Sequence, residues 1–145
     1  MLMQSIMFQG SNKVIISGLK SLNSQTIHIA IDHCNNLLIK DVRITAPSES
    51  LNTDGINVQA PSGVTIRNNT IRTGDDCIAI GPGSRLLWME KIACGPGHGI
   101  SPTTSVYTVT LNLTAISTLY CNPSSLPPPL CSQSSPPSPQ LEYYY

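Results

Sequence analysis

Short runs of alternating apolar and polar residues, rich in Ile and Val, recur through residues 1–101. Val64-Thr65-Ile66-Arg67-Asn68-Asn69 matches Leu86-Leu87-Trp88-Met89-Glu90-Lys91 at an offset of 22 residues. Gly55-Ile56-Asn57-Val58 lies 22 before Cys77-Ile78-Ala79-Ile80, which recurs as Gly99-Ile100-Ser101. Leu37 to Val42 precedes Val64 by 27 residues, and Val14 to Leu19 precedes that run by 23. Each unit holds two alternating, β-branched runs separated by Gly, Asn, Pro, Ser or Asp, a strand-and-turn pattern without a long amphipathic helix. Parallel strands returning at a fixed period predict an all-β solenoid whose stacked coils bury Ile and Val as ladders. We expect a right-handed parallel β-helix of about four coils, with a small β-sandwich as the alternative. The extra residues of the 27-residue step fall at Ala46-Pro47-Ser48-Glu49-Ser50, which predicts an outward loop there.

Composition divides the chain near Ser101. All ten glycines lie at or before Gly99, whereas eight of the twelve prolines lie from Pro102 onward. Residues 1–101 are therefore the expected β-helix domain, and 102–145 a divergent Pro/Ser-rich tail. This tail is expected to be largely disordered, including Asn122 to Gln140, although Val106 to Leu113 could add one strand. Eight basic residues balance eight acidic ones, which argues against a nucleic-acid binder. No apolar run approaches the ~20 residues of a membrane helix, and Met1 to Phe8 is too short and interrupted for a secretory signal. The five cysteines include no CxxC pair, so no metal site is expected, and no connectivity follows from sequence. Asn68-Asn69-Thr70 and Asn112-Leu113-Thr114 match glycosylation sequons.

The period gathers the acids. Asp54, Asp76 and His98 are each 22 residues apart and precede the same strand position, so coils about 4.8 Å apart would stack them in one column. Asp75 adds a third carboxylate leaving the chain in another direction. Crowded like charges raise at least one carboxyl pKa, which allows an acid and a base in one site, the pairing glycoside hydrolysis uses. Gly55, Gly74, Gly97 and Gly99 would leave the floor open for a polymer. His28 and His33 lie outside the column and read as surface or packing histidines.

The ordered motifs Asn52-Thr53-Asp54-Gly55, Thr73-Gly74-Asp75-Asp76-Cys77 and Cys94-Gly95-Pro96-Gly97-His98-Gly99-Ile100-Ser101 resemble those of plant polygalacturonases, glycoside hydrolase family 28. The resemblance runs from about Gln4 to Ser101. It implies a pectin-lyase-like right-handed β-helix, no cofactor, a monomer secreted to the cell wall, and inverting hydrolysis of α-1,4-galacturonosidic bonds in polygalacturonan. Asp75 would be the general acid, Asp54 and Asp76 would hold and activate water, and His98 would support protonation of the acid. Asn52 would orient the site by hydrogen bonding and contact substrate. Cys77 and Cys94 match family positions and read as buried packing thiols. The family's later Arg-Ile-Lys motif has no counterpart, since no basic residue follows Lys91. That departure predicts an incomplete gene product of weak or no activity, the alternative being a non-catalytic fragment that at most binds pectin. A pectate lyase on a similar solenoid would need calcium ligands and an Arg base, and His98 with the ordered motifs favours hydrolysis.

Overall fold

The computed structural model describes residues 5–102, 108–111, 116–118 and 141–144. In chain order the strands are β1 (Ile6–Gln9), β2 (Ile15–Ser17), β3 (Lys20–Leu22), β4 (Ile29–Asp32), β5 (Asn35–Lys40), β6 (Arg43–Thr45), β7 (Ile56–Gln59), β8 (Ser62–Arg72), β9 (Asp76–Ile80), β10 (Arg85–Cys94), β11 (Gly99–Pro102), β12 (Thr108–Leu111), β13 (Ile116–Thr118) and β14 (Leu141–Tyr144). None of the described residues is helical. One sheet runs β1-β4-β7-β9-β11; the other stacks β2, β5, β8, β10 and β12, with β3 and β6 pairing alongside. Among the described residues every pairing is parallel except β12 with β14. The chain is a parallel β-helix of about four coils.

Alternation along each strand builds the core. In β7, Ile56 and Val58 are fully buried while Asn57 and Gln59 turn outward. Register then places like upon like: Ile29, Ile56, Ile78 and Ile100 form one ladder, and Leu37, Val64 and Leu87 another. All seven are at most 2% exposed. Burying each contributes roughly 1.5–3 kcal/mol, so the stacked ladders rather than any one strand hold the coils together.

The expected 27-residue coil is present, with Ile29 opposite Ile56 and Leu37 opposite Val64. Its extra length lies between β6 and β7, where Pro47, Ser48, Glu49, Leu51 and Asn52 are exposed. The next step differs between sheets. Ile56 pairs with Ile78, the expected 22, but Val64 pairs with Leu87, a step of 23. The turn Gly81-Pro82-Gly83-Ser84 is one residue longer than the preceding Gln59-Ala60-Pro61, and it moves β10 by that residue. Burial decides the register, because a one-residue slip exchanges the faces: Leu87 is 1% exposed and Leu86 65%.

Coils bend where the backbone turns left-handed. Gly18, Asp41, Asn68 and Lys91 occupy equivalent positions and all have φ between +52° and +69°. Lys13, Asn36, Gly63 and Leu86 form a second such column, and Gly10, His33, Ala60 and Gly83 a third. Inside the first column, Asn69, 1% exposed, accepts from the Val42 amide at 2.8 Å and donates to the Ile39 carbonyl at 3.3 Å. It satisfies backbone groups that the bend takes out of the ladder.

The strand expected within Val106 to Leu113 corresponds to β12, which pairs with β10 through Val109 opposite Leu87. The segment expected to be disordered, residues 122–140, lies outside the described residues, as does the sequon at Asn112. Asn68, of the other sequon, is exposed and donates to Asp41.

Candidate active site

Asp54 precedes β7, Asp75 precedes β9, Asp76 begins β9 and His98 precedes β11, so one end of the first sheet collects all four. The coils are tied there by backbone bonds: the Gly55 amide donates to the Asp76 carbonyl at 2.8 Å and the His98 amide to the Asp75 carbonyl at 3.1 Å. The second bond corrects the expected column. Gly99 pairs with Asp76 and Ile100 with Ile78, with a register shift between them, so His98 stands beside Asp75 rather than stacked on Asp76. Its Nδ1 is 2.9 Å from Asp75 Oδ1 and 3.8 Å from Asp76 Oδ1.

The glycines serve a different purpose from the open floor expected of them. A Cβ on Gly55 would collide with Ile71 and lie 2.6 Å from the Cys77 carbonyl oxygen. One on Gly74 would collide with the Ser50 carbonyl, and one on Gly97 with that of Asp75. They let the backbones of neighbouring turns close on each other, which sets the carboxylates side by side.

Cys77 and Cys94 are joined in a disulfide with a Cα separation of 6.0 Å, correcting their reading as separate thiols. Alternation alone would not bring them together. Cys77 has no register partner across the β9–β11 irregularity, and both Cys77 and Ile78 are buried in succession. Cys94 ends β10 on the buried side. The bond anchors the strand that carries Asp76 to the second sheet. Cys34 is free and buried.

Two buried threonines hold the turns. Thr53 Oγ1 donates to the Ser50 carbonyl at 2.7 Å and accepts from the Gly74 amide at 3.3 Å, linking the turn before Asp54 to the turn before Asp75. Thr73 Oγ1 lies 3.3 Å from the Asp75 carbonyl oxygen and 3.4 Å from that of Asp76. Asn57 donates from Nδ2 to Asp54 Oδ2 at 3.2 Å, and Ser101 hydrogen-bonds the Asp76 carboxylate. These four residues escaped sequence reasoning, although Thr53, Thr73 and Ser101 lie inside the motifs. Asn52 is exposed with φ +58°, and its side chain makes no hydrogen bond among the described residues. His28 is fully buried, its Nδ1 2.8 Å from Ser21 Oγ, and His33 is exposed beside Asp32.

The electrostatics follow from crowding in a half-buried place. Burial pushes the Asp76 carboxyl up to about 6, with the charges of Asp54 and Asp75 adding to it and His98 opposing. Burial also raises Asp54, against the hydrogen bond from Asn57. Asp75, Asp76 and His98 offer one ligand atom each within 4.8 Å of one another, a spacing that could also accommodate a cation. Among the described residues no helix is long and apolar enough to cross a membrane.

Three aspartates and a histidine gathered on adjacent coils of a parallel β-helix make a cluster with the two carboxyls that glycoside hydrolysis requires. Comparison with known proteins makes that specific. The family model for glycosyl hydrolases family 28 matches residues 2–109. A polygalacturonase of Prunus persica is 56% identical over 94 residues, 65% of this chain and 24% of the relative. An exopolygalacturonase of Zea mays is 48% identical over 97 residues, 67% of this chain and 24% of the relative. An exopolygalacturonase of Platanus acerifolia is 45% identical over 97 residues. The chain belongs to glycosyl hydrolases family 28, and it spans about a quarter of the length of these curated relatives.

Proposed function

We propose that this chain carries the acid–base site of a polygalacturonase, cleaving α-1,4-galacturonosidic bonds of polygalacturonan in the cell wall with inversion. The observation that supports it most is the pairing of His98 Nδ1 with Asp75 at 2.9 Å while Asp54 and Asp76 stand on neighbouring coils with raised carboxyl pKa values. In this reading Asp75 gives its proton to the glycosidic oxygen as the bond to the leaving sugar breaks. Water held by Asp54 and Asp76 attacks the anomeric carbon from the opposite face, and its proton passes to that pair. His98, beside Asp75, supports protonation of the acid, and Asn52, exposed at the rim, contacts substrate. Two carboxyls sharing one water hold one proton between them below pH about 6, and rising pH removes it from Asp76. Hydrolysis needs Asp75 protonated and the water-holding pair ionised at once, so its rate passes through a maximum with pH, and ionisation of Asp76 forms the acidic limb.

The test is release of reducing ends from polygalacturonate by the full chain as a monomer. Asp75→Asn should lower the rate by roughly 10²–10⁴-fold. A folded parent that releases none removes the hydrolase reading. A second reading, a non-catalytic galacturonan-binding piece, is favoured by one observation. The described part of the first sheet carries no Lys or Arg beside these carboxylates, and a polyanion needs cations near them.

A further inference from the structure

All eight Lys and Arg residues belong to strands of the second sheet or, for Lys13, to the turn entering it. Register brings some of them together. Lys20 pairs with Arg43, and Lys40 pairs with Arg67, each on the next coil. Lys20, Arg43 and Arg67 are exposed and Lys40 half-buried. None of the four has a carboxylate within 4.0 Å among the described residues. Two acids lie near: Glu90, opposite Arg67 on the far side, and Asp41, which is engaged by Asn68. Against the four cations they leave a net positive face.

Like charges directly opposite each other across neighbouring strands destabilise a sheet. Here two such pairs flank the bend at Asp41 and Asn68, and Glu90, in register with Arg67, offsets one of them only in part. A linear polyanion would relieve both. Strands about 4.8 Å apart line the cations up along the solenoid axis, and galacturonan freed of its esters carries one carboxylate on every sugar.

We propose that the outward face of the second sheet, centred on Lys20/Arg43 and Lys40/Arg67, is an anchoring surface for de-esterified galacturonan, separate from the carboxylate site on the first sheet. It rests on the pectin reading above and extends it. The polymer is held by its charges on one sheet, while the chemistry proceeds on the other, which lacks cations of its own among the described residues.

Affinity electrophoresis of the full chain through gels containing polygalacturonate tests this, with highly methyl-esterified pectin and single-stranded DNA as comparison polymers. The parent should be retarded by polygalacturonate and much less by either of the others. Lys20→Gln/Lys40→Gln should weaken retardation by roughly tenfold. Its melting temperature should not fall, because each change removes a like-charge contact. Asn35→Asp/Leu86→Asp has the same net charge, with the changes at exposed positions at the other end of β5 and β10 from Lys40 and away from the turn before Asp54, and should keep the parent's retardation. Equal retardation of the lysine variant and the parent, equal retardation by DNA, or a folded parent that is not retarded would overturn the proposal. Reducing-end release separates the two readings. Hydrolysis with binding indifferent to the lysines removes the anchor and keeps the hydrolase, whereas lysine-dependent binding without hydrolysis does the reverse.

Discussion

Both sheets crowd like charges across adjacent coils, and the outcomes differ because the surroundings differ. On the first sheet, Asp54, Asp75 and Asp76 are half-buried, and Asp76 is pushed up to about 6. On the second, Lys20, Arg43 and Arg67 project into water, where screening weakens their repulsion without removing it. The same solenoid register thus produces an acid cluster with a raised carboxyl where water is limited and a charged surface where it is not. Supporting structure follows the same division: buried threonines, close-packed glycines and a disulfide surround the acids, while the cations stand on plain ladder.

Breaking the tie between the sheets should have the largest effect. Cys77→Ala/Cys94→Ala opens the 17-residue separation closed by the disulfide and should cost about 3 kcal/mol, read as a lower denaturant midpoint. An unchanged midpoint would mean the bond contributes nothing to holding Asp76 in place. Next comes the corner of the second sheet. Asn69→Ala leaves the Val42 amide and Ile39 carbonyl without their side-chain partner and should cost about 2 kcal/mol in the same measurement.

Asp76→Asn sharpens the comparison by its sign. The folded protein holds the Asp76 proton more tightly than the unfolded chain, whose ordinary value is 3.8, so native stability falls as pH rises from about 4 to about 6. The variant should match the parent at pH 4 and exceed it above pH 6, by about 1–2 kcal/mol after solvent screening. Thermal unfolding across that range checks it, and parallel curves would show that the acids do not strain the fold. The smallest change is Leu86→Gly. Leu86 sits at φ +53° with its side chain 65% exposed, so glycine should stabilise by about 1 kcal/mol.

The fold was legible because a solenoid repeats its instructions. Ile56 and Ile78 carry the same pattern, and the long loop at Ala46 to Ser50 showed as surplus length. The acids were legible for the same reason, since a shared period implies a shared place. What stayed hidden depended on single-residue geometry. The longer turn at Gly81 to Ser84 shifted β10, so Leu86 seemed to match Val64 when it occupies the corner matching Gly63. The irregularity opposite Cys77 moved His98 from Asp76 to Asp75 and left Cys77 facing inward toward Cys94. The hydrogen bonds from Asn57 and Ser101 depend on which face each strand presents, a matter the register decides.

The 27-residue coil has a consequence for how such a molecule can be varied. Its surplus is spent entirely between β6 and β7, and the strands on either side keep their partners on both neighbouring coils. That stretch enters Asp54 directly. It is an adjustable jaw on a fixed frame: length can be added or removed there at a loop-closure cost that grows only slowly with length. The approach to the acids can therefore be reshaped for a different polymer while the coils that align them stay as they are.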